Sequence, residues 1–460
     1  MKSPLTLRQT GVRQASVCRK NSKLLSFILQ AETRRSVVAL ILIVIFVPFG
    51  TATTASKRFD HQKVATSDLS PLLERLKAKL SESYQTASFP GATLGFALPD
   101  GRSGSVSVGL SDLENKRPLK PSDRMLAGSI GKTYVSAAML QLVQEGQIDL
   151  DSKIERWLGK RGWFSRLPNA MDITLRMLMN HSSGIPEHVL NKDFIAEMKK
   201  DPDRIWKPEE LLTYILDAKP LFPAGKGWSY ADTNYILVGI IFEQVTKRTV
   251  YGEVQRRILG PFKLERTIPS DRRSLPDVIT GYSRPNSPFG FEGRVIVDGK
   301  FVINPQMEWT GGGFASTAED LARWAKLLYE GKILRTETLA QMLEGVDANE
   351  GRGSGPGNKY GLAVQIRQSE FGMSYGHGGW FPGYVSEMEY FPKHKIAVAV
   401  QFNTDATGTL KKGMRAYIAD AMRIILGEIQ KVGQTSAESS SYYKHSTTTG
   451  VVGTYRMSRV

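Results

Sequence analysis

Ala127-Gly128-Ser129-Ile130-Gly131-Lys132-Thr133-Tyr134 opens a helix whose apolar stripe, Val135, Ala138, Met139, Leu142 and Val143, predicts burial. Ser129 and Lys132 stand three apart, so on a helix they share a face one turn from each other. The helix N-terminus carries partial positive charge, and burial disfavours a cation. Both effects lower the lysine pKa and predict a neutral amine able to accept the serine proton. A Ser-x-x-Lys tetrad arises by chance about once or twice in a chain of 460 residues. What it means is therefore decided by its surroundings.

Upstream, Leu69 to Tyr84 has helical spacing, with Leu72, Leu73, Leu76 and Leu80 on one face. Gly91 to Leu98 reads as a strand, Pro99-Asp100-Gly101 as a turn, and Ser105 to Val108 as the returning partner. Downstream, from about 150 to 300, helices and loops dominate: Ile173–Met179, Pro208–Leu216 and Asn234–Thr246. Gly311-Gly312-Gly313 precedes Ser316-Thr317-Ala318-Glu319, a capping box that opens a helix over Asp320–Tyr329. Strands then return at Tyr360–Arg367, Tyr384–Phe391 and Ile396–Phe402, with Pro392-Lys393-His394-Lys395 as a hairpin turn. A closing helix carries Met414, Ile418, Met422, Ile425 and Ile429 on one side, and residues 433–460 read as a polar flexible tail. Strands at both ends with helices between predict an α+β fold. Its antiparallel sheet is built from both chain ends, and a mainly helical lobe is inserted in the middle.

The formal charge is +16, but +7 of it sits in residues 1–56, where eight Lys/Arg face one acid, Glu32. What remains is a moderately basic surface that does not call for nucleic acid. The single cysteine, Cys18, lies in that same segment, so the body has no disulfide, Cys-based zinc site or cysteine nucleophile. The six histidines show no metal-ligand spacing, and no metal or cofactor is expected. Val37 to Phe49 is an apolar run behind Arg34-Arg35, followed by the small residues Gly50 to Ser56. This describes a targeting signal over 1–56 and an exported, periplasmic or extracellular protein. An uncleaved anchor, with membrane association through residues 37–49, is the second reading, and an organelle transit peptide the third. The folded domain is expected over 67–432.

Three further stretches complete the pattern: Trp228-Ser229-Tyr230-Ala231-Asp232, Tyr375-Gly376-His377-Gly378-Gly379-Trp380 and Asn180-His181-Ser182-Ser183-Gly184. With Ser129-Ile130-Gly131-Lys132, they resemble the serine β-lactamase and penicillin-binding-protein superfamily. The nearest branch is the class C-related one of DD-peptidases and esterases. Its motifs run Ser-x-x-Lys, Tyr-x-Asn, then Lys-Thr-Gly or His-x-Gly, and here they come in that order over roughly residues 67–432. The resemblance implies that Ser129 is the acylated nucleophile, Lys132 its base and Tyr230 a general acid/base. It puts His377 beside the cleft, bonded to Tyr230 or to substrate. Gly378-Gly379 would leave room for substrate to lie along their strand, and the backbone N–H groups of Ser129 and Trp380 would form the oxyanion hole.

Asp232 departs from the usual Asn. An ionised Asp donates no hydrogen bond to a substrate carbonyl, and pairing with Lys132 would raise the lysine pKa. Neither Gly227-x-Ser229-x-Ala231 nor Ala127-x-Ser129-x-Gly131 is a full lipase elbow, which argues against an α/β-hydrolase. The expected activity is that of a serine hydrolase forming an acyl-enzyme with a small ester, a D-amino-acid or cell-wall peptide, or a β-lactam-like compound. The alternative is a weakly active or inactive protein of the same fold that binds cell-wall peptide or a partner.

Overall fold

The computed structural model describes residues 68–349 and 355–445, with side chains through 431. All fall within one compact unit, Thr66–Val460. The apolar run at 37–49 lies outside the described residues, and no described helix is long and apolar enough to cross a membrane.

Among the described residues a nine-stranded antiparallel sheet forms the frame. Its strands are β1 (Gly91–Ala97), β2 (Ser103–Asp112), β3 (Arg117–Pro118), β4 (Val346–Asp347), β5 (Lys359–Tyr360), β6 (Gln365–Ser369), β7 (Gly372–Phe381), β8 (Tyr384–Phe391) and β9 (Ile396–Phe402). Their order is β4-β5-β6-β7-β8-β9-β1-β2-β3, so the two chain ends meet where β9 pairs with β1. Every residue of β1, β8 and β9 is buried, which is why β1 and β9 read as nearly continuous small and apolar runs, whereas β8 also buries the polar Ser386, Glu387 and Glu389.

Each sheet face carries its own helical layer. On one side α1 (Ser70–Thr86) and the closing helix α5 (Met414–His445) bury Leu72, Leu76, Leu80, Tyr417, Met422 and Ile425 with the sheet residues Leu94, Val106 and Val398. On the other, α2 (Gly131–Gln144), α3 (Asp232–Thr246) and α4 (Ala318–Tyr329) share a core centred on Tyr134 and Trp324, stacked 4.3 Å apart. The helical lobe lies between residues 131 and 342 in sequence, as expected for an insertion.

Several boundaries differ from the sequence reading. The strand expected over Tyr360–Arg367 is two strands, because Gly361 to Val364 turn with Ala363 at φ 66. The cap of α4 is Thr317, accepting from Asp320 N–H, one residue later than the Ser316 box. A helix at Lys192–Lys200, capped by Asn191, lies in a stretch the sequence reading passed over. The closing helix runs to His445, into the stretch expected as tail; Gln434 to His445 contains neither proline nor glycine to stop it.

Candidate active site

A short strand at Met125–Leu126 pairs with Phe314–Ser316, and Ala127 N–H continues the ladder to Phe314 O at 2.9 Å. This clamp delivers the chain into a 3₁₀ turn, Gly128–Ile130, that leads into α2. Ser129 therefore sits at the helix mouth. Gly128 has φ 54, and a Cβ there would stand 2.5 Å from Trp380 N. A Cβ on Gly379 would stand 1.8 Å from Ala127 O. Glycine at these two positions is what lets the nucleophile turn press against β7.

Lys132 is wholly buried. Its Nζ lies 3.1 Å from Ser129 Oγ and also hydrogen-bonds Asp232 Oδ1 and Gly311 O. Three acceptors match the three N–H donors of an ammonium. Burial is the strongest influence on Lys132 and lowers its pKa. The charges and hydrogen bonds of Asp232 and Tyr230 together outweigh it, and the amine is held above its ordinary 10.5. The expectation of a neutral lysine is thus overturned by the ion pair with Asp232. That carboxylate sits in the first turn of α3, where the helix dipole favours an anion, and its own N–H donates to Glu187 Oε2 at 2.9 Å.

Tyr230 is buried with its ring 5.0 Å from Lys132 Nζ. The ring lies against His181 at 4.2 Å between centroids. His181 Nδ1 in turn accepts from Ala231 N–H at 3.3 Å and pairs with Asn234 Nδ2 at 3.1 Å, so it locks the Tyr230–Asp232 turn to α3.

His377 does not bond Tyr230. Its Nε2 pairs with Tyr360 Oη at 2.8 Å and its Nδ1 with Gly378 O at 2.6 Å. A carbonyl only accepts, so Nδ1 carries the proton and Nε2 accepts from the phenol. Burial, reinforced by the Lys132 charge, pushes the imidazole pKa down to about 3, and His377 is neutral at physiological pH. The expected docking groove along Gly378-Gly379 is also altered: Gly378 N–H already donates to Gln365 Oε1 at 2.9 Å. Trp380 packs face to face on Phe289, ring centroids 5.6 Å apart, beside a cleft also lined by His188, Asp232, Met307 and Glu308.

Ser129, Lys132, Tyr230, Asp232 and Trp380 thus converge as expected. Four contributors escaped the sequence reading. Tyr360, Gln365 and Glu187 bond His377, Gly378 and Asp232, and Glu308 Oε2 accepts Gly313 N–H at 3.0 Å, holding the turn that presents Gly311 O to Lys132. Trp309, in the same turn, sits at φ 37, a strained angle of the kind found at functional sites. The clustered glycines 311–313 were the one visible signal of that turn.

The family model described as Beta-lactamase matches residues 76–423. Penicillin-binding protein 4* of Bacillus subtilis (strain 168) is 22% identical over 346 residues, covering 72% of this chain and 71% of that protein. A D-aminopeptidase of Brucella anthropi is 23% identical over 299 residues, 64% of this chain. The match spans about half of that enzyme, 52% of its length. Among solved structures, a D-stereospecific amidohydrolase from Streptomyces sp. superposes with a TM-score of 0.63 at 26% identity, over 75% of this chain and 98% of that one.

Proposed function

The chain belongs to the Beta-lactamase family, and from that premise we propose that it is a serine hydrolase that cleaves amides or esters through an acyl group carried on Ser129. The observation that carries this reading is the buried Lys132 amine 3.1 Å from Ser129 Oγ. The names of the similar D-aminopeptidase and D-stereospecific amidohydrolase support a D-amino-acid amide as the substrate class.

In the proposed reaction Lys132 stays an ammonium and Tyr230 carries the proton. A phenolate is favoured beside a buried cation. Tyr230, ionised, takes the Ser129 proton as the Oγ–C bond forms. The carbonyl oxygen becomes an oxyanion held by the N–H groups of Ser129 and Trp380, worth about 3 kcal/mol per donor in comparable sites. The C–N or C–O bond then breaks, and Tyr230 returns the proton to the departing atom. Water repeats the sequence on the acyl carbon and restores the serine hydroxyl.

The test is the intact mass of the full chain before and after a fluorophosphonate, for wild type and Ser129→Ala. One adduct in the wild type and none in the variant is the expected result. Equal labelling of both, or hydrolysis that survives Ser129→Ala, overturns the reading. Reversible ligand binding with no adduct favours the binding-protein alternative.

A further inference from the structure

The strand beside the nucleophile is open along one edge. Pairing of β7 with β6 ends at Gln365 opposite Gly376, so among the described residues 377–381 have a strand neighbour, β8, on one side only. An open edge of this kind binds extended peptides through backbone hydrogen bonds. Residues two apart on a strand turn their N–H and C=O to the same side, so Gly378 and Trp380 are the two rungs a substrate could use.

One rung is already taken. Gln365 Oε1 accepts Gly378 N–H at 2.9 Å, and Gly378 O accepts from His377 Nδ1 at 2.6 Å. The plug is built in rather than draped across. Gln365 and Arg367 are buried, and the Arg367 guanidinium donates to the same Oε1. Arg367 is itself paired with Glu387 at 2.5 Å and Glu389 at 3.1 Å, and Glu389 with Arg415 at 2.7 Å. Guanidinium and backbone N–H both donate only, so the atom between them is the amide oxygen of Gln365.

The blocked rung lies toward Tyr230, whose ring is 6.1 Å from His377, whereas the Trp380 rung opens onto Phe289. In the proposed reaction Tyr230 serves the departing group, so the closed side is the leaving-group side. We infer that Gln365 restricts the leaving group to something small, ammonia from a primary amide or a short alcohol, and excludes peptides that continue as a strand past the scissile bond. This inference rests on the hydrolase reading above. A peptide occupying that side would have to displace the Gln365 amide, leaving Arg367 and Gly378 short of an acceptor.

The experiment compares kcat/KM for D-phenylalaninamide and for D-phenylalanyl-D-alanyl-D-alanine in wild type, Gln365→Ala and Gln365→Glu. A ratio within one preparation does not depend on the folded fraction. Wild type is expected to favour the amide by about tenfold or more, the loss expected when a buried donor goes unsatisfied. Gln365→Ala brings the ratio toward unity, and Gln365→Glu, whose carboxylate still accepts from both donors, keeps the wild-type preference. A wild-type ratio near unity, or one that Gln365→Ala leaves unchanged, overturns the inference alone. If wild type hydrolyses neither compound above the Ser129→Ala background although Ser129 takes the fluorophosphonate, the inference alone is overturned; if Ser129 takes no adduct either, the hydrolase reading falls, and the inference with it.

Discussion

Lys132 and Asp232, one hundred residues apart in sequence, form a buried ion pair beneath the Ser129 hydroxyl. The pair decides the charge of the site, because burial alone lowers the lysine pKa and the Asp232 carboxylate is the first influence opposing it. In Asp232→Asn, burial, the largest single influence, is expected to prevail over the remaining contribution of Tyr230 and to bring Lys132 below its ordinary 10.5. The stability sign follows by linkage. A raised lysine pKa stabilises the fold at every pH below the unfolded value, so the wild type is insensitive to this group between about pH 6 and 10. A lowered one costs stability below the unfolded value, so Asp232→Asn grows more stable as pH rises over the same window. Thermal unfolding at pH 6, 8 and 10 checks this; parallel pH curves for the two proteins would contradict it.

Tyr230→Phe isolates the proton carrier. The ring stays packed at a tilt against His181, centroids 4.2 Å apart, so the stability change is expected within about 1 kcal/mol. Loss of a positioned acid/base is expected to lower kcat by about 10²–10⁴ with little change in KM. Steady-state kinetics beside a urea titration separate the two effects. A variant retaining full kcat would remove Tyr230 from the reaction.

Much of this architecture was legible in the sequence because the decisive segments are either wholly buried or tightly patterned. β8 and β9 matched their expected bounds, and Ser129, Lys132, Tyr230 and Trp380 came together. What escaped depends on contacts distant in sequence. Nothing local to Tyr360 or Gln365 says that they bond His377 and Gly378, 17 and 13 residues away across a strand turn. The lysine charge was half legible: helix dipole and burial are local and point to a neutral amine, and Asp232 in the Tyr-x-Asp stretch points the other way, but only the fold shows that Asp232 and Tyr230 together outweigh burial. The buried turn at Ala363 split an expected strand because its left-handed angle is held by tertiary packing, not by a glycine.

His377 stays neutral, and that neutrality appears as acid sensitivity. Its pKa is pushed from 6.5 down to about 3, so the unfolded chain binds the proton first. The contribution is present above pH 6.5 and is lost as pH falls toward 3. Between pH 7 and 5 it amounts to about 2 kcal/mol. Urea unfolding of wild type and His377→Gln at these two pH values should show a steeper loss in the wild type. Equal losses would mean that His377 protonates in place. The same neutrality predicts that no kinetic pKa between pH 5 and 8 disappears in His377→Gln.

The contact between Gly128 and Trp380 gives the sharpest test of how the nucleophile turn is seated. Gly128→Ala carries two penalties. At φ 54 an alanine costs roughly 1–2 kcal/mol. Its Cβ, 2.5 Å from Trp380 N, must also push β7 away from the turn. Gly101→Ala is the matched control, since Gly101 has φ 90 and nothing within 4 Å of the added carbon. Both variants should lose comparable stability from the backbone angle. Only Gly128→Ala should separate the Ser129 and Trp380 N–H groups, with kcat expected to drop by about 10²–10³, as for loss of one oxyanion donor. Fluorophosphonate labelling should slow in parallel, because the phosphonyl oxygen needs the same two donors. If Gly128→Ala and Gly101→Ala are equally active at equal stability, β7 yields without disturbing the site, and Trp380 N–H is not part of the oxyanion hole.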